Sequence, residues 1–460
     1  MSATPVIAIF DVGKTNKKLL LFDEQYNVVH EESIQLDETT DEDGFPCEDL
    51  KALTNWVWEK YWMLVSNKQY NVKAVNFSGY GASFVHLNDF YKPLTPLYNY
   101  LKPYPENLKQ QFYDTYGGES LIAKQTASPV LGNLNSGMQL YRLKYEQPKI
   151  YGQIKYSLHL PQYLSFIVSA RASTDITSVG CHTQLWDFKI HKYHKWVYDE
   201  GMRTKFAPIY RGDKIVTITN DSRKTAIGIG LHDSSAALIP YLSTFTEPFI
   251  LLSTGTWCIT INPFNNTMLS DYELDEDCLC YLSYEGKPVK ASRLFAGYEH
   301  EQQVKRLADF FKKPFDHYSS VKCDLQILAV LNKKRPVKTG ANDNRQSDFQ
   351  FRKLEEFSSY EEAYHQLIAD IMKQQVRSTN LVLKGAHVKR IFVDGGFSKN
   401  PIYMYLLAEA FPKIEVYAAS VPQASALGAA LAMHQHWNTK KLPSDIIDLK
   451  LYSVTLGTKV

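Results

Sequence analysis

Val6-Ile7-Ala8-Ile9-Phe10-Asp11-Val12-Gly13-Lys14-Thr15 decides the reading of this chain: an apolar run of strand character ends in a turn of Asp, Gly, Lys and Thr. The plan returns twice. Phe249-Ile250-Leu251-Leu252 runs into Ser253-Thr254-Gly255-Thr256, and Arg390-Ile391-Phe392-Val393 runs into Asp394-Gly395-Gly396-Phe397-Ser398. Junctions of this kind bring backbone N–H groups close to an anion, because glycine has no Cβ to block the approach. Three on one chain, two of them alike in plan, point to a nucleotide held from both sides.

Working outward, Lys18–Asp23 and Val28–Ile34 read as strands, the first pairing with Val6–Asp11 across the Gly13 turn. Glu48 to Ser66 reads as a helix, with Leu50, Leu53, Trp56, Val57, Tyr61 and Leu64 at helical spacing. Val72–Phe77 is a buried strand, followed by the small-residue loop Ser78-Gly79-Tyr80-Gly81-Ala82-Ser83. Strand, helix, strand implies an α/β fold with a mixed sheet and helices on its faces. Phe249–Ser253, a turn at Gly255 and Trp257–Asn262 repeat the opening about half a chain later, which predicts two similar lobes. The boundary is expected between Pro240 and Pro248, giving lobes 1–244 and 245–460. Lys333 to Ser347 reads as an exposed loop. Tyr360–Leu383, Pro401–Phe411 and Gln423–His436 read as helices, and Lys389–Asp394 and Ile414–Ala418 as strands.

The chain has 460 residues, enough for at least two cores. Its 51 Lys+Arg against 49 Asp+Glu give no basic surplus for nucleic acid. The six cysteines are scattered; Cys278 and Cys280 flank one residue, but no second pair at zinc-site spacing follows. No apolar segment is long enough to cross a bilayer, and Met1–Pro5 shows no basic region leading into an apolar stretch. These features predict a reduced, cytoplasmic protein without membrane partners. The 30 tyrosines and 23 phenylalanines suit stacking on sugars, and equally ordinary packing.

Gly13-Lys14-Thr15 is not a Walker A loop, since the position five before its glycine is Ala8 and no helix follows Thr15. Asp11 ends a buried strand and points into the turn, where a carboxylate can hold magnesium through water; a turn-capping role is the commoner use. Thr254-Gly255-Thr256 offers hydroxyls and amides at the mirror position, or is an ordinary hairpin. In Gly228-Ile229-Gly230-Leu231-His232-Asp233-Ser234-Ser235-Ala236-Ala237, Asp233 reads as a helix N-cap placed to take a proton from a hydroxyl attacking ATP, or as a structural cap alone. His232 is given no role. Asp394-Gly395-Gly396-Phe397-Ser398-Lys399-Asn400-Pro401 lets a flat ring or phosphate lie on the backbone; the plainer reading is a strand–helix turn with Asn400 as cap. The small residues Ala424–Ala430 indicate close helix packing.

These elements, in this order and spacing, resemble the FGGY carbohydrate kinases of the actin–hexokinase superfamily, over essentially the whole chain to about His436. Ser253-Thr254-Gly255-Thr256-Trp257 is similar to the Ser-Ser-Gly-Thr-Trp turn of the rhamnulokinase and L-fuculokinase branch. Leu160-Pro161-Gln162-Tyr163-Leu164-Ser165, Thr177-Ser178 and Thr183-Gln184-Leu185 are similar to further segments of that branch. The resemblance implies two ribonuclease-H-like lobes around a central cleft, the first binding sugar and the second nucleotide. It implies ATP and Mg2+, Asp233 as general base, Asp11 near the metal, and Gly13, Lys14, Thr15, Thr254, Gly255 and Thr256 on phosphate. Gly395, Gly396, Ser398 and Asn400 would then meet adenosine.

Three departures bear on the substrate. Lys14 and Lys18 replace the Thr and Arg usual in the first turn. Tyr80-Gly81-Ala82-Ser83 stands where the branch has Trp-Gly-x-Asp, so a sugar-touching carboxylate is lost. Gln423 stands where many members have Glu. Gly81, Ala82, Ser83, His86, Tyr98 (within Tyr98-Asn99-Tyr100) and Gln162 lie where the family places its sugar. The expectation is a monomeric or homodimeric kinase of a ketose such as L-rhamnulose or L-fuculose, with pentuloses next. A degenerate kinase fold acting as a sugar or nucleotide sensor is the alternative, opposed by the presence of both Asp11 and Asp233. An actin-like assembly ATPase is opposed by the Gly228–Ala237 motif.

Overall fold

In the computed structural model, which describes residues 3–219, 224–331 and 347–453, the opening strand Thr4–Val12 runs through the middle of a seven-stranded sheet. Its side chains from Val6 to Phe10 are fully buried, so it is apolar on both faces. Lys17–Phe22 pairs with it antiparallel across the Gly13 turn, and Val28–Ile34 pairs antiparallel with Lys17–Phe22. On the other side Tyr70–Gly79 runs parallel to it, and Ala226–Gly228 parallel to Tyr70–Gly79. The strand order is therefore third, second, first, fourth, fifth.

The second sheet repeats that order. Phe249–Thr254 pairs antiparallel with Cys258–Asn262, which pairs with Pro288–Leu294. Arg390–Gly395 runs parallel on the other side, followed by Glu415–Ser420. Cys278–Leu282 adds a strand at one edge and Asp448–Tyr452 at the other. The latter falls in the stretch after Trp437 for which the sequence suggested no role. The α/β fold with two lobes of one plan is thus as expected.

The long helix Tyr360–Leu383 packs on the second sheet and has 14 buried residues, eight of them in the hydrophobic core of that lobe. Several boundaries shift. The first helix is Leu50–Ser66, because Asp49 caps it through the Ala52 amide, and Glu48 belongs to a short strand. Ser78 and Gly79 belong to the strand, not to the loop after it. Gln423–His436 is two helices, Ala424–Ala432 and His434–Trp437. Of the expected loop Lys333–Ser347, all but Ser347 lies outside the described residues.

Pro240 marks no break. It lies inside the helix Asp233–Thr244. Proline has no N–H, so the carbonyl of Ala236 loses its partner within the helix. Helix Ala424–Ala432 crosses at that point, and a Cβ on Gly428 would lie 1.8 Å from Ala236 O. Only glycine permits this approach, which brings a second-lobe helix onto the Asp233 helix and against the opening strand. Three bonds add to that junction: Asn76 Nδ2 donates to Ala429 O, Asn438 Nδ2 to Glu24 O, and Lys18 Nζ to Gln423 Oε1. Among the described residues no helix is long and apolar enough to cross a membrane.

Candidate active site

Strand register builds the site. Asp11 sits opposite Ser78, and Ser78 opposite Leu231 in the short strand Leu231–His232; one step on, Val12, Gly79 and His232 form the next row. Asp11 and Asp233 therefore lie at the same carboxyl edge, two strand spacings of about 4.8 Å apart. Ser78 and Gly79 keep the row between them low. Burial pushes the Asp11 carboxyl up most, and the Asp233 carboxylate adds to that rise.

Asp233 opens its helix as the first helical residue, with His232 at the N-cap, so the expected N-cap role passes to its neighbour. Its Oδ1 still accepts the Ser234 amide at 2.6 Å and the Ser234 hydroxyl at 3.2 Å. The carboxyl is 32% exposed, yet crowding by protein pushes its pKa up to about 6. His232 Nε2 lies 3.4 Å from that Oδ1, and burial lowers the imidazole to about 4, so at neutral pH it is uncharged. The Tyr100 phenol feels both Asp233 and Lys14, which puts it at this corner. Tyr98, the neighbour favoured from sequence, instead donates to Glu42 Oε1 at 2.5 Å.

The first turn is held from beneath. Gly13 N–H donates to Asn16 O, and Lys14 Nζ reaches Glu38 at 2.8 Å, leaving Thr15 exposed. Lys17 is almost fully buried, 2.6 Å from Glu48 Oε1, and donates to the carbonyl of Lys14 at 3.1 Å. Tyr80 donates to the other oxygen of Glu48 at 3.2 Å. Lys17 carried no signal in the sequence beyond an interruption of an apolar strand.

In the second lobe, Ser253 pairs with Asp394 and Thr254 with Gly395, so both turns share one edge. Gly255, Thr256, Gly395 and Gly396 are exposed there. The Thr254 hydroxyl is already engaged: it donates to Asp394 O at 2.5 Å and accepts Phe397 N–H at 3.0 Å, tying the two turns together. Ser398 donates to Gly395 O. Asn400 caps helix Pro401–Ala410 by accepting Ile402 N–H and Tyr403 N–H, and its amide donates to Tyr364 OH; both ends of the group are occupied structurally. Tyr241, on the Asp233 helix, donates to Asp394 Oδ2 at 3.1 Å, linking the two lobes' sites. Trp257, Phe295 and Tyr298 form an exposed aromatic ladder beside the turn, with Phe295 and Tyr298 stacked at 4.5 Å.

The residues expected to meet sugar divide. Gly81 packs against the His232 ring, beside Asp233. Ala82 has a positive φ of 62° and its carbonyl accepts from Gln139 Nε2. Gln162 donates to Gly230 O at 2.9 Å, and Oε1 of both Gln162 and Gln139 is buried without a partner among the described residues. Ser83 is 1% exposed and its hydroxyl donates to Tyr98 O, so it does not replace the missing carboxylate. His86 is buried in the strand pair Phe84–Leu87 and Tyr156–His159, 2.9 Å from Ser157 Oγ, and burial holds it neutral with a pKa of about 3. The Ser83 hydroxyl is thus spent, while His86 keeps a buried Nε2 without a partner among the described residues.

A family model described as the FGGY family of carbohydrate kinases, N-terminal domain, matches residues 6–239, and one described as carbohydrate kinase FGGY, C-terminal domain, matches residues 246–441. A rhamnulokinase from Halalkalibacterium halodurans is 23% identical over 260 residues, 54% of this chain and 52% of that protein. The matched part therefore spans about half the length of that curated relative. The crystal structure of a carbohydrate kinase from Novosphingobium aromaticivorans superposes with a TM-score of 0.80 at 22% identity, over 98% of this chain and 94% of the other. That of a ligand-bound xylulose kinase from Lactobacillus acidophilus gives 0.75 at 16% identity, with the same coverage.

Proposed function

The chain belongs to the FGGY family of carbohydrate kinases, and from that premise we propose that it transfers the terminal phosphoryl group of ATP to a hydroxyl of a ketose, with Asp233 as general base. The observation that carries the reading is the register row. Asp11 and Asp233 share one sheet edge, and the Asp233 helix is bonded at Tyr241 to the turn at Asp394. A sugar oxygen at Asp233 gives up its proton to a carboxylate whose pKa of about 6 leaves it ionised at neutral pH. Phosphoryl transfer is mostly positioning and charge stabilisation, so no stronger base is required. Gly13 and Gly255 spend their N–H groups inside the turns, on Asn16 O and Trp257 O. What faces phosphate is therefore the Lys14 and Thr15 backbone with the Thr15 hydroxyl from one lobe and Thr256 from the other, with Lys14 Nζ available where phosphate draws it from Glu38.

Magnesium fits Asp11: the group is a half-buried hard oxygen donor at the turn, with Oδ2 held in place by the Ser425 hydroxyl. When bound there, Mg2+ would neutralise phosphate charge as it moves. Gly395 and Gly396 give adenosine a flat backbone platform, and the Trp257, Phe295 and Tyr298 ladder gives it aromatic faces.

His232, Tyr100 and the orphaned carbonyl oxygens of Gln162 and Gln139 offer one mixed set of donors and acceptors to a neutral polyol chain. This supports a ketose, with L-rhamnulose, L-fuculose and pentuloses as the first to try. The test is ADP release over ketoses, pentuloses and polyols, with Asp233→Ala beside the unsubstituted chain. One or two ketoses should turn over, and the Ala variant should bind ATP without turnover. Equal turnover in that variant removes Asp233 as base; tight sugar binding with no turnover on any sugar favours the sensor.

A further inference from the structure

The strand end that carries Asp233 also gathers a thiol and two imidazoles. Cys181 Sγ, one ring nitrogen of His182 and one of His232 all lie within 4.8 Å of one another. Cys181 Sγ is 3.7 Å from His232 Nε2, and Asp233 Oδ1 is 3.4 Å from that same nitrogen. A tetrahedral zinc, with sulfur at about 2.3 Å and nitrogen or oxygen at about 2.0 Å, sets neighbouring donors about 3.3–3.6 Å apart. The donor types match, and the Cys181–His232 separation lies just above that range.

The surroundings prepare the ligands. His182 Nδ1 lies 3.1 Å from Leu134 O. A carbonyl only accepts, so Nδ1 carries the proton and the ring's lone pair is on Nε2. The His182 backbone sits at φ +41°, a conformation a β-carbon resists and that packing must enforce. Cys181 is a free, buried thiol. A cation of sufficient thiophilicity displaces the thiol proton to solvent and forms one metal–sulfur bond in its place.

We propose that Cys181, His182 and His232 form a site for a thiophilic divalent cation of the zinc class, with water as the fourth ligand. A cation on His232 Nε2 lies against the Asp233 carboxylate, whose Oδ1 is 3.4 Å from that nitrogen, and draws it from the sugar, so zinc inhibits the enzyme in competition with its sugar substrate. That consequence, though not the site, rests on the kinase reading above.

Cobalt(II), titrated into the metal-free full chain, should give at one equivalent the strong visible bands of a tetrahedral ion together with a thiolate-to-cobalt charge-transfer band. Cys181→Ser should abolish the charge-transfer band, His182→Ala should weaken cobalt binding by roughly tenfold or more, and Cys278→Ser should leave the spectrum unchanged. X-ray absorption on the unsubstituted chain loaded with zinc requires no variant to fold: it should show one sulfur at about 2.3 Å and three nitrogen or oxygen neighbours. Zinc should raise the apparent KM for the sugar. A weak octahedral cobalt spectrum, a zinc shell without sulfur, or a charge-transfer band that survives Cys181→Ser overturns the site. A metal-free chain that phosphorylates no sugar but gives the cobalt spectrum tells instead against the kinase reading.

Discussion

Ser425 donates its hydroxyl to Oδ2 of Asp11 across 2.8 Å, so a helix of the second lobe holds the carboxylate that ends the first strand of the first. Burial raises the Asp11 carboxyl and this bond opposes the rise. A hydrogen bond to a charged group contributes about 1.5–3 kcal/mol. Ser425→Ala should therefore lower the unfolding free energy by about 1–2 kcal/mol and reduce kcat more than it raises the KM for sugar. Urea denaturation and steady-state kinetics read the two effects, and Ser425→Thr, which keeps the hydroxyl, should restore most of both.

Asp233 fixes a pH dependence. Its carboxyl rises from the ordinary 3.8 to about 6 because burial disfavours the charge. As a base it must be ionised, so kcat/KM should climb with pH, bend near 6 and level above about 7. Stability runs the other way. Between about pH 4 and 6 the folded chain keeps a proton that the unfolded chain has lost, so stability falls as pH rises through that window. Asp233→Asn removes the penalty. With a third of the side chain open to water, the gain above pH 6 should be on the order of 1 kcal/mol and should vanish below about pH 4. Turnover should drop by roughly a hundredfold or more. Thermal melts at the two pH values and an ADP assay check this together.

Lys17 and Glu48 are a buried pair beneath the first turn, at 2.6 Å. Removing one partner strands a charge. Lys17→Met should cost about 3–5 kcal/mol. The double variant Lys17→Met with Glu48→Leu should recover a good part of that stability, because no lone charge is left. It should not recover activity in step, since the Lys14 carbonyl has lost its support. Denaturation midpoints compared with kcat/KM for ATP separate the two.

The fold was largely legible because its signals are local. Apolar strands ending in glycine turns mark both lobes, and the register then brings Asp11 and Asp233 together without further instruction. What stayed hidden depends on long-range contact. Ser425 lies in a helix of small residues, whose packing reading is right for Gly428 and incomplete for Ser425. Asn400 and Thr254 match a binding pattern, yet their side chains serve the turn itself. Pro240 looks like a break, but a helix can carry proline where a neighbouring backbone packs at the freed carbonyl. Cys181 and His232 are 51 positions apart, and nothing in their spacing announces that they meet.

Gly297 gives the sharpest test of how the second turn is held. A Cβ there would lie 1.8 Å from Gly255 O and 3.0 Å from Thr256 O, and both are backbone atoms that cannot swing aside. The adjacent Tyr298 N–H donates to Thr256 O at 3.1 Å, so the start of helix Ala296–Phe311 is the floor on which the Gly255–Thr256 turn rests. Gly297→Ala must push that turn outward by an ångström or more. Misplacement on that scale costs on the order of a hundredfold when a group must meet a reacting phosphate. The expected result is a loss of roughly tenfold or more in kcat/KM for ATP, with the KM for sugar little changed, because the proposed sugar contacts lie in the other lobe. Gly152→Ala is the control: nothing lies within 4 Å of the added carbon, and its helical position gains from alanine. If both substitutions leave ATP kinetics alike, the turn at Gly255 does not carry phosphate.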